Sequence, residues 1–323
     1  MRRIEIYDTT LRDGLQSPGV AVDGQGRLAI ARRLALLGVD AIEAGFPVVG
    51  EAEAEAVRLV AREVDGPVIK GLARAHPRDV DAAWDAVRDA ARPRITVYAP
   101  VSDVQIAHVL RGTREDALGR IRAAVAHAHT LAGDVEFSPM DATRADPAFL
   151  AETVAVAIAE GAAIVSVPDT VGYTVPHEFA ALLTRLQADV TQLAQVTLAV
   201  HCHNDLGLAV ANSLAGVLAG ATAVEGTING LGARAGNAAL EELVMLIDTR
   251  GAHLGLETAI APEHLTAASR LVSELTGYTV QPNKAIVGAN AFQHDAALYR
   301  AAVGRDRATY EIMDPRRVGR DDA

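Results

Sequence analysis

Strand-like and helix-like segments alternate along most of this 323-residue chain, and that alternation limits the folds open to it. Short apolar, β-branched runs such as 196–200 precede segments with apolar residues at helical spacing, such as 209–219. Eight such pairs can be read along the sequence, and eight pairs in about 250 residues are typical of one (β/α)8 barrel. The competing architecture, a doubly wound open sheet, usually stops near about six strands and carries a G-x-G-x-x-G loop after its first strand. That loop is missing here. We therefore predict an α/β fold, a (β/α)8 TIM barrel, over residues 1–255.

The pattern changes after the eighth pair. Residues 256–323 show one helical stretch, 262–275, followed by a mixture of loop and short helix. We interpret this segment as a C-terminal subdomain that covers part of the barrel mouth.

Composition excludes several classes of protein. The net charge is −11, and no long basic run offsets it, which argues against a nucleic-acid partner. The one cysteine, Cys202, excludes an internal disulfide framework and is typical of a reducing compartment. No segment resembles a signal peptide or a membrane span. We expect a cytoplasmic protein without a membrane partner, with Cys202 buried.

Two histidines follow the predicted strand 196–200. His201 and His203 are two residues apart, so in extended backbone their imidazoles point to the same side. Two neutral nitrogen donors aimed together are a common geometry in metal sites. The alternative is a pair of structural histidines at a strand end.

In a barrel, the carboxyl ends of the strands form the active-site face. Asp13 follows the first predicted strand, and together with the two histidines it gives an oxygen and nitrogen ligand set that suits Mg²⁺, Mn²⁺ or Zn²⁺. Such a cation acts as a Lewis acid on a carbonyl or an enolate. Several neighbouring residues have simpler roles open to them. The simpler role is loop capping for Asp8 and Asp169, pairing with an arginine for Glu43, and the start of a helix for His76.

Five ordered motifs resemble one family: DTTLRDGLQSPG, EAGFP, PDTVGYTVP, HCHNDLGLAVANS and EGTINGLGARAGNAALEE. Together with QPNKAIVGANAF and TYEIMDP they make the chain similar to the 2-isopropylmalate synthase/homocitrate synthase family. The resemblance implies a barrel, usually homodimeric, that condenses acetyl-CoA with a 2-oxo acid. It implies a divalent metal held by Asp13, His201 and His203, with Asn237 close by or ligating. It also implies that Arg12 holds the 2-oxo acid carbonyl and Thr170 its carboxylate. The family's C-terminal regulatory domain has no counterpart in this sequence, so feedback through such a domain is not expected.

The sequence departs from the family at five positions where the synthases carry an ionisable residue. These positions are Leu15, Gln105, Met140, Ala233 and Tyr299. General acid and base groups each contribute about 10²–10⁴-fold to a rate, so another proton carrier is needed. The candidates are Tyr299, His294, Tyr310 and a metal-bound water. We expect Leu15, Leu72, Tyr98, Met140 and Ser166 to shape the substrate pocket.

Three functional hypotheses follow. The first is condensation of an acyl-CoA, with acetyl-CoA as co-substrate, and a 2-oxo acid to give a 2-alkylmalate or homocitrate-like product. The second is a metal-dependent lyase or aldolase, similar to HMG-CoA lyase or to a 4-hydroxy-2-oxo acid aldolase. Leu15 and Ala233 favour it, because both also occur in those branches of the superfamily. The third, motivated by all five replacements, is a catalytically inactive barrel.

Overall fold

A computed structural model describes residues 1–321 and contains a closed barrel of eight parallel strands. The strands are β1 (Glu5–Asp8), β2 (Ala41–Gly45), β3 (Val68–Arg74), β4 (Pro93–Pro100), β5 (Val135–Met140), β6 (Ile164–Asp169), β7 (Thr197–Cys202) and β8 (Ala223–Gly226). Each strand pairs with the next, and β8 pairs with β1 to close the barrel. The predicted TIM barrel is confirmed.

One long helix follows each strand. These helices are α1 (Gly24–Leu37), α2 (Glu51–Glu63), α3 (Pro77–Val87), α4 (Arg114–Ala132), α5 (Pro147–Ala159), α6 (Pro176–Asp189), α7 (Ala209–Leu218) and α8 (Leu240–Leu254). Their apolar faces pack on the outer surfaces of the strands in one continuous core. This arrangement leaves the inner faces of the strands to form a separate barrel interior.

Local sequence explains where several helices begin. Thr113 Oγ1 accepts a hydrogen bond from the backbone N–H of Asp116, and the Asp116 carboxylate accepts one from the Thr113 backbone N–H. This capping box satisfies two N–H groups that have no partner within the helix. His76 caps α3 by accepting from the Arg78 N–H, and Pro176 begins α6. The role of His76 as a helix-start residue agrees with the sequence prediction.

The barrel interior is built in layers. The lowest layer contains the apolar cluster of Tyr7, Ala41, Val68, Ile164, Ala199 and Ala223. Because alternate residues of a strand share a face, the next inward positions are two residues further along each strand, and they carry polar or charged side chains: Glu43, Lys70, Thr96, Glu136, Ser166, His201 and Glu225. A charged layer therefore lies directly beneath the mouth of the barrel.

The C-terminal segment begins after α8. Residues Leu256–Glu257 pair in parallel with Arg2–Arg3 and form a two-stranded sheet outside the barrel. Helix α9 (Leu265–Thr276) packs on α1, and a shorter helix, α10 (Ala297–Val303), follows within mostly irregular chain. The boundary near residue 255 between barrel and subdomain stays a prediction. Within residues 1–321, no helix has both the length and the apolar character needed to cross a membrane.

One local element was not predicted. The loop after β4 contains a short helix, Asp103–Gln105, that continues as a π-helical turn, Ile106–Leu110. Such turns are rare outside functional or strained regions, and periodicity does not reveal them.

Candidate metal centre

Three side chains converge at the carboxyl-terminal mouth of the barrel. Asp13 lies in the loop after β1, His201 lies near the end of β7, and His203 directly follows that strand. Asp13 Oδ2 is 3.4 Å from His201 Nε2 and 3.5 Å from His203 Nε2, and the two Nε2 atoms are 3.3 Å apart. All three residues are buried. The predicted convergence of a first-strand carboxylate with two imidazoles is present in the fold.

These separations fit one shared cation. Ligand atoms about 2.1 Å from an ion, at angles between octahedral and tetrahedral, lie about 3.0–3.4 Å from one another. Asn237 supports the same interpretation. Its Nδ2 donates to the Leu231 carbonyl at 3.0 Å, while its buried Oδ1 has no hydrogen-bond partner within residues 1–321. A buried amide oxygen without a partner is uncommon, and it suits an additional oxygen ligand.

Glycine is required beside this amide. A Cβ at Gly232 would lie 2.1 Å from Asn237 Nδ2 and 3.3 Å from Asp13 Oδ1, and the Gly232 φ of +153° is rare for other residues. The backbone of the loop after β8 therefore approaches the ligand set too closely for a side chain.

The surroundings of the ligand set shift the pKa values of the two histidines in opposite directions. Burial disfavours charge on His201, but hydrogen bonds to Asp13 and Glu225 outweigh it and raise the pKa of His201 to about 9. Burial and the neighbouring His201 lower the pKa of His203 to about 4. Burial opposes ionisation of Asp13, yet the Arg12 guanidinium and both histidines hold its pKa well below the ordinary value. In the metal-free protein one histidine is thus charged and the other is neutral.

Arg12 is fixed beside this set by two carboxylates. Its Nε donates to Glu43 Oε2 at 2.5 Å and its Nη1 to Asp13 Oδ2 at 2.9 Å. These contacts leave Nη2 free of protein partners within the described chain, at the edge of a cavity of about 240 Å³. The pairing of Glu43 with an arginine confirms the simpler role considered for that residue.

The cavity contains most of the predicted substrate-binding residues. Arg12, Tyr98, Met140 and Thr170 line it together with the three candidate ligands. The mixture of apolar and polar side chains suits a small organic anion. Leu72 also lines this cavity, whereas Ser166 is fully buried beneath it.

Three predicted site residues lie elsewhere. Leu15 faces a smaller cavity of about 130 Å³ behind Arg12, because the 3₁₀ turn Gly14–Gln16 directs it toward Phe46 and Val49. His294 and Tyr299 lie in the C-terminal segment: His294 Nε2 is 3.1 Å from Glu311 Oε1, and the centroid of the Tyr299 ring is 4.6 Å from that of Tyr310, with the two rings tilted by 51°. Within this chain, these residues do not reach the ligand set.

Two further cavities open on the same face. One of about 400 Å³ adjoins the metal cavity, shares Arg234 with it, and is lined by the glycine-rich loop 230–236 and by Tyr278 and Lys284 from the C-terminal segment. Another of about 500 Å³ lies outside the barrel near α3 and is lined by Arg78 and Arg120. It shares Tyr98 with the metal cavity.

Sequence reasoning missed the charged layer. Lys70 Nζ lies 2.9 Å from both oxygens of Glu136 and 2.6 Å from Glu225 Oε1. The available signal was a charged residue inside an otherwise apolar strand, two positions before residues that face the cavity. The loop-capping roles considered for Asp8 and Asp169 agree with their contacts, since they accept hydrogen bonds from Thr10 and Thr174. Cys202 is buried, as predicted.

Fold and site together define a TIM barrel with a candidate divalent-metal centre at the carboxyl ends of its strands. Residues 3–272 match the HMGL-like family model, and residues 286–323 match the model described as homocitrate synthase post-HMGL domain-like. The chain therefore belongs to the HMGL-like family.

Curated relatives refine this assignment. The chain is 51% identical over 322 residues to a 2-isopropylmalate synthase of Syntrophus aciditrophicus, covering all of this chain and 62% of the relative. It is 50% identical over 318 residues to a 2-isopropylmalate synthase of Pyrococcus furiosus, covering 98% of this chain and 64% of that relative. The predicted family resemblance is confirmed, and the chain spans somewhat less than two thirds of these relatives' length.

Solved structures share the fold at low identity. A Bacillus subtilis HMG-CoA lyase superposes with a TM-score of 0.76 at 19% identity, covering 89% of this chain and 97% of the lyase. An Acinetobacter baumannii HMG-CoA lyase, solved with coenzyme A and 3-methylmalate, gives 0.75 at 20% identity over 91% of this chain and 98% of that chain. These likenesses establish the barrel fold alone.

Proposed function

We propose that this protein is a divalent-metal-dependent acyltransferase that condenses an acyl-CoA with a 2-oxo acid and releases CoA. The observation that carries this proposal is the convergence of Asp13, His201 and His203, with Arg12, on one small cavity. The synthase names of relatives at about 50% identity support it. The product class is a 2-alkylmalate or a homocitrate-like acid.

The 2-oxo acid would occupy the metal cavity. When bound, the cation would supply Lewis-acid polarisation of the substrate carbonyl. Its ligands would be Asp13, His201 and His203, with Asn237 as an additional oxygen donor, and Mg²⁺, Mn²⁺ and Zn²⁺ all suit this set. The free edge of the Arg12 guanidinium is placed to donate to the same oxygen or to the adjacent carboxylate.

Thr170 is suited to hold the substrate carboxylate. Its Oγ1 accepts a hydrogen bond from the backbone N–H of Asp141 at 2.9 Å. With that oxygen fixed as an acceptor, its own hydrogen is free to donate toward the cavity that Thr170 lines. Tyr98 is a second neutral donor, because burial raises the pKa of its hydroxyl and keeps it protonated near neutral pH.

The acyl-CoA would enter through the adjoining cavity of about 400 Å³. Shared lining at Arg234 makes the two cavities neighbours, so two substrates can meet at the ligand set. The A. baumannii lyase of the same fold was solved with coenzyme A, which is consistent with a coenzyme A site in this protein. The homodimeric state and the catalytic roles of His294 and Tyr299 stay predictions.

The test is release of free thiol. Purified protein with Mn²⁺, acetyl-CoA and a panel of 2-oxo acids is followed with a thiol reagent, and each substrate is also omitted in turn. Thiol release that requires both substrates, and that falls in Thr170→Val while Thr184→Val on the outer surface of α6 retains it, supports condensation. Cleavage of a 3-hydroxy acid or its CoA thioester, without two-substrate thiol release, assigns the lyase alternative instead. Tight metal binding without either reaction leaves the inactive-barrel hypothesis.

A further inference from the structure

Three buried charges form a cluster directly beneath the candidate metal centre. Lys70 on β3 bonds both carboxylate oxygens of Glu136 on β5 at 2.9 Å and one oxygen of Glu225 on β8 at 2.6 Å. The Lys70 and Glu136 side chains have no solvent exposure, and Glu225 is only 6% exposed. We call these three residues the Lys70 cluster.

Glu225 connects this cluster to the ligand set. Its Oε1 faces Lys70, and its Oε2 lies 3.1 Å from His201 Nδ1. The strand register places the two residues side by side, since His201 and Glu225 are partners across β7 and β8. One carboxylate therefore bridges a buried ammonium and the nitrogen of His201 that faces away from the ligand set.

A carboxylate in this position controls how the imidazole can bind a metal. A ligating histidine usually donates its second ring N–H to a carboxylate or carbonyl, which fixes its tautomer and ring orientation. Glu225 Oε2 forms an ion-pair contact with Nδ1 at 3.1 Å, where no hydrogen bond is formed within residues 1–321, and His201 presents Nε2 to Asp13 and His203, both within 3.5 Å. That is the nitrogen the proposed centre requires.

Lys70 holds this carboxylate in place by bonding it from below. Glu136 and Glu225 both contact Lys70 Nζ, so without the ammonium two buried carboxylates would remain close together. Like charges at this separation repel, so Glu225 would no longer be held against His201. Other cations also lie near the cluster: Arg94 Nη1 is 3.8 Å from Glu136 Oε2, and Arg12 interacts electrostatically with Glu225. The Tyr7 ring lies 5.0 Å from Lys70 Nζ. Arg94 thus compensates the Glu136 side of the cluster rather than the Glu225 side.

We propose that Lys70 is a positioning residue for the metal centre: its ammonium holds the Glu225 carboxylate in the orientation that faces His201, and so sets the affinity for the cation. The proposal rests on the metal-dependent function proposed above. The alternative is that Lys70 forms a purely structural ion pair. A buried pair often gives little net stability over apolar residues of similar size, which counts against that alternative.

The experiment compares Mn²⁺ affinity with folding stability in matched variants. Lys70→Met removes the ammonium and leaves two buried carboxylates, so it should lower stability strongly. The double variant Lys70→Met/Glu136→Gln removes one charge of each sign and should regain most of that stability. Its dissociation constant for Mn²⁺, measured by calorimetry, should still be about 10–100-fold weaker than in the wild type. A double variant that regains folding stability but not Mn²⁺ affinity would show that Lys70 positions the metal centre.

Glu136→Gln and Glu225→Gln form the matched control pair. Both remove one carboxylate that contacts Lys70, but only Glu225 reaches His201. We expect Glu225→Gln to weaken Mn²⁺ binding by about 10-fold or more, and Glu136→Gln to change it by less than about threefold. If the double variant does not fold, the comparison of Glu136→Gln with Glu225→Gln tests the proposal instead, because Lys70 acts on the metal only through Glu225.

Equal affinities for the control pair, or wild-type affinity in a folded double variant, would overturn the inference and leave Lys70 as a structural ion pair. Failure of the proposed function is a different result, since the wild-type protein itself would then bind no Mn²⁺ or show no two-substrate reaction.

Discussion

Replacing Gly232 with alanine tests the packing around the ligand set without changing any charged group. The added Cβ would lie 2.1 Å from Asn237 Nδ2, far inside van der Waals contact, and 3.3 Å from Asp13 Oδ1. Asn237 would have to move by about 1 Å or more, since carbon and nitrogen atoms in contact are about 3.5 Å apart. That movement would break its hydrogen bond to the Leu231 carbonyl.

The expected loss of stability in Gly232→Ala has two parts. Backbone strain for a non-glycine residue in such a conformation is about 1–3 kcal/mol, and the lost hydrogen bond adds about 1 kcal/mol. The free energy of unfolding should therefore fall by about 2–4 kcal/mol. Displacement of Asn237 and crowding of Asp13 should also weaken Mn²⁺ binding by about 10-fold or more, as observed when groups supporting metal ligands are disturbed.

Gly19→Ala provides the matched control. Gly19 also has a positive φ, +81°, but a Cβ there meets no atom within 4 Å. This variant should lose stability through strain alone, about 1–2 kcal/mol, and should keep wild-type Mn²⁺ affinity. Urea denaturation and calorimetry give both quantities. Wild-type metal affinity in Gly232→Ala, or a stability loss no larger than in Gly19→Ala, would refute the assignment of Gly232 and Asn237 to the metal centre.

Three further predictions address the cap of α4, a buried carboxyl group and the fixed arginine. Thr113→Ala removes the capping box and should lower the free energy of unfolding by about 1 kcal/mol in thermal or urea denaturation, with Mn²⁺ affinity unchanged; altered metal affinity would contradict a purely local role. Burial raises the pKa of Asp8 to about 7, although hydrogen bonds from Thr10 act to lower it. Because the folded protein then holds this proton more tightly than the unfolded chain, stability should fall as pH rises from about 4 to 7, by roughly 1–3 kcal/mol. Asp8→Asn should reduce that dependence in urea denaturation of metal-free protein, and an unchanged pH profile would show that Asp8 does not cause it. Arg12→Lys cannot donate to Glu43 and Asp13 from separate nitrogens as arginine does, so it should lose about 1–3 kcal/mol of stability; a variant as stable as the wild type would show that these contacts contribute little.

The barrel was predictable because strand and helix periodicities differ and repeat eight times. The ligand set was predictable for a related reason. His201 and His203 share a face of β7, and parallel strands bring the loop holding Asp13 to the same edge of the barrel. The helix start at His76, directly before a proline, was also predictable.

The site features that could not be predicted from the sequence depend on how distant parts of the chain are placed in the fold. Leu15 is adjacent in sequence to residues beside the ligand set, yet the tight turn at 14–16 directs it to a different cavity. His294 and Tyr299 belong to irregular chain whose path periodicity does not determine. Lys70, Glu136 and Glu225 looked like ordinary members of short strands, because their significance depends on three strands, β3, β5 and β8, meeting across the barrel interior.

Anomalous diffraction from crystals soaked with Mn²⁺ tests the central claim most directly. The account predicts one strong anomalous peak at the barrel mouth, about 2.0–2.3 Å from an oxygen of Asp13 and from Nε2 of both His201 and His203. A fully soaked crystal with no peak between these three side chains, or with its strongest peak at a different cluster, would contradict it.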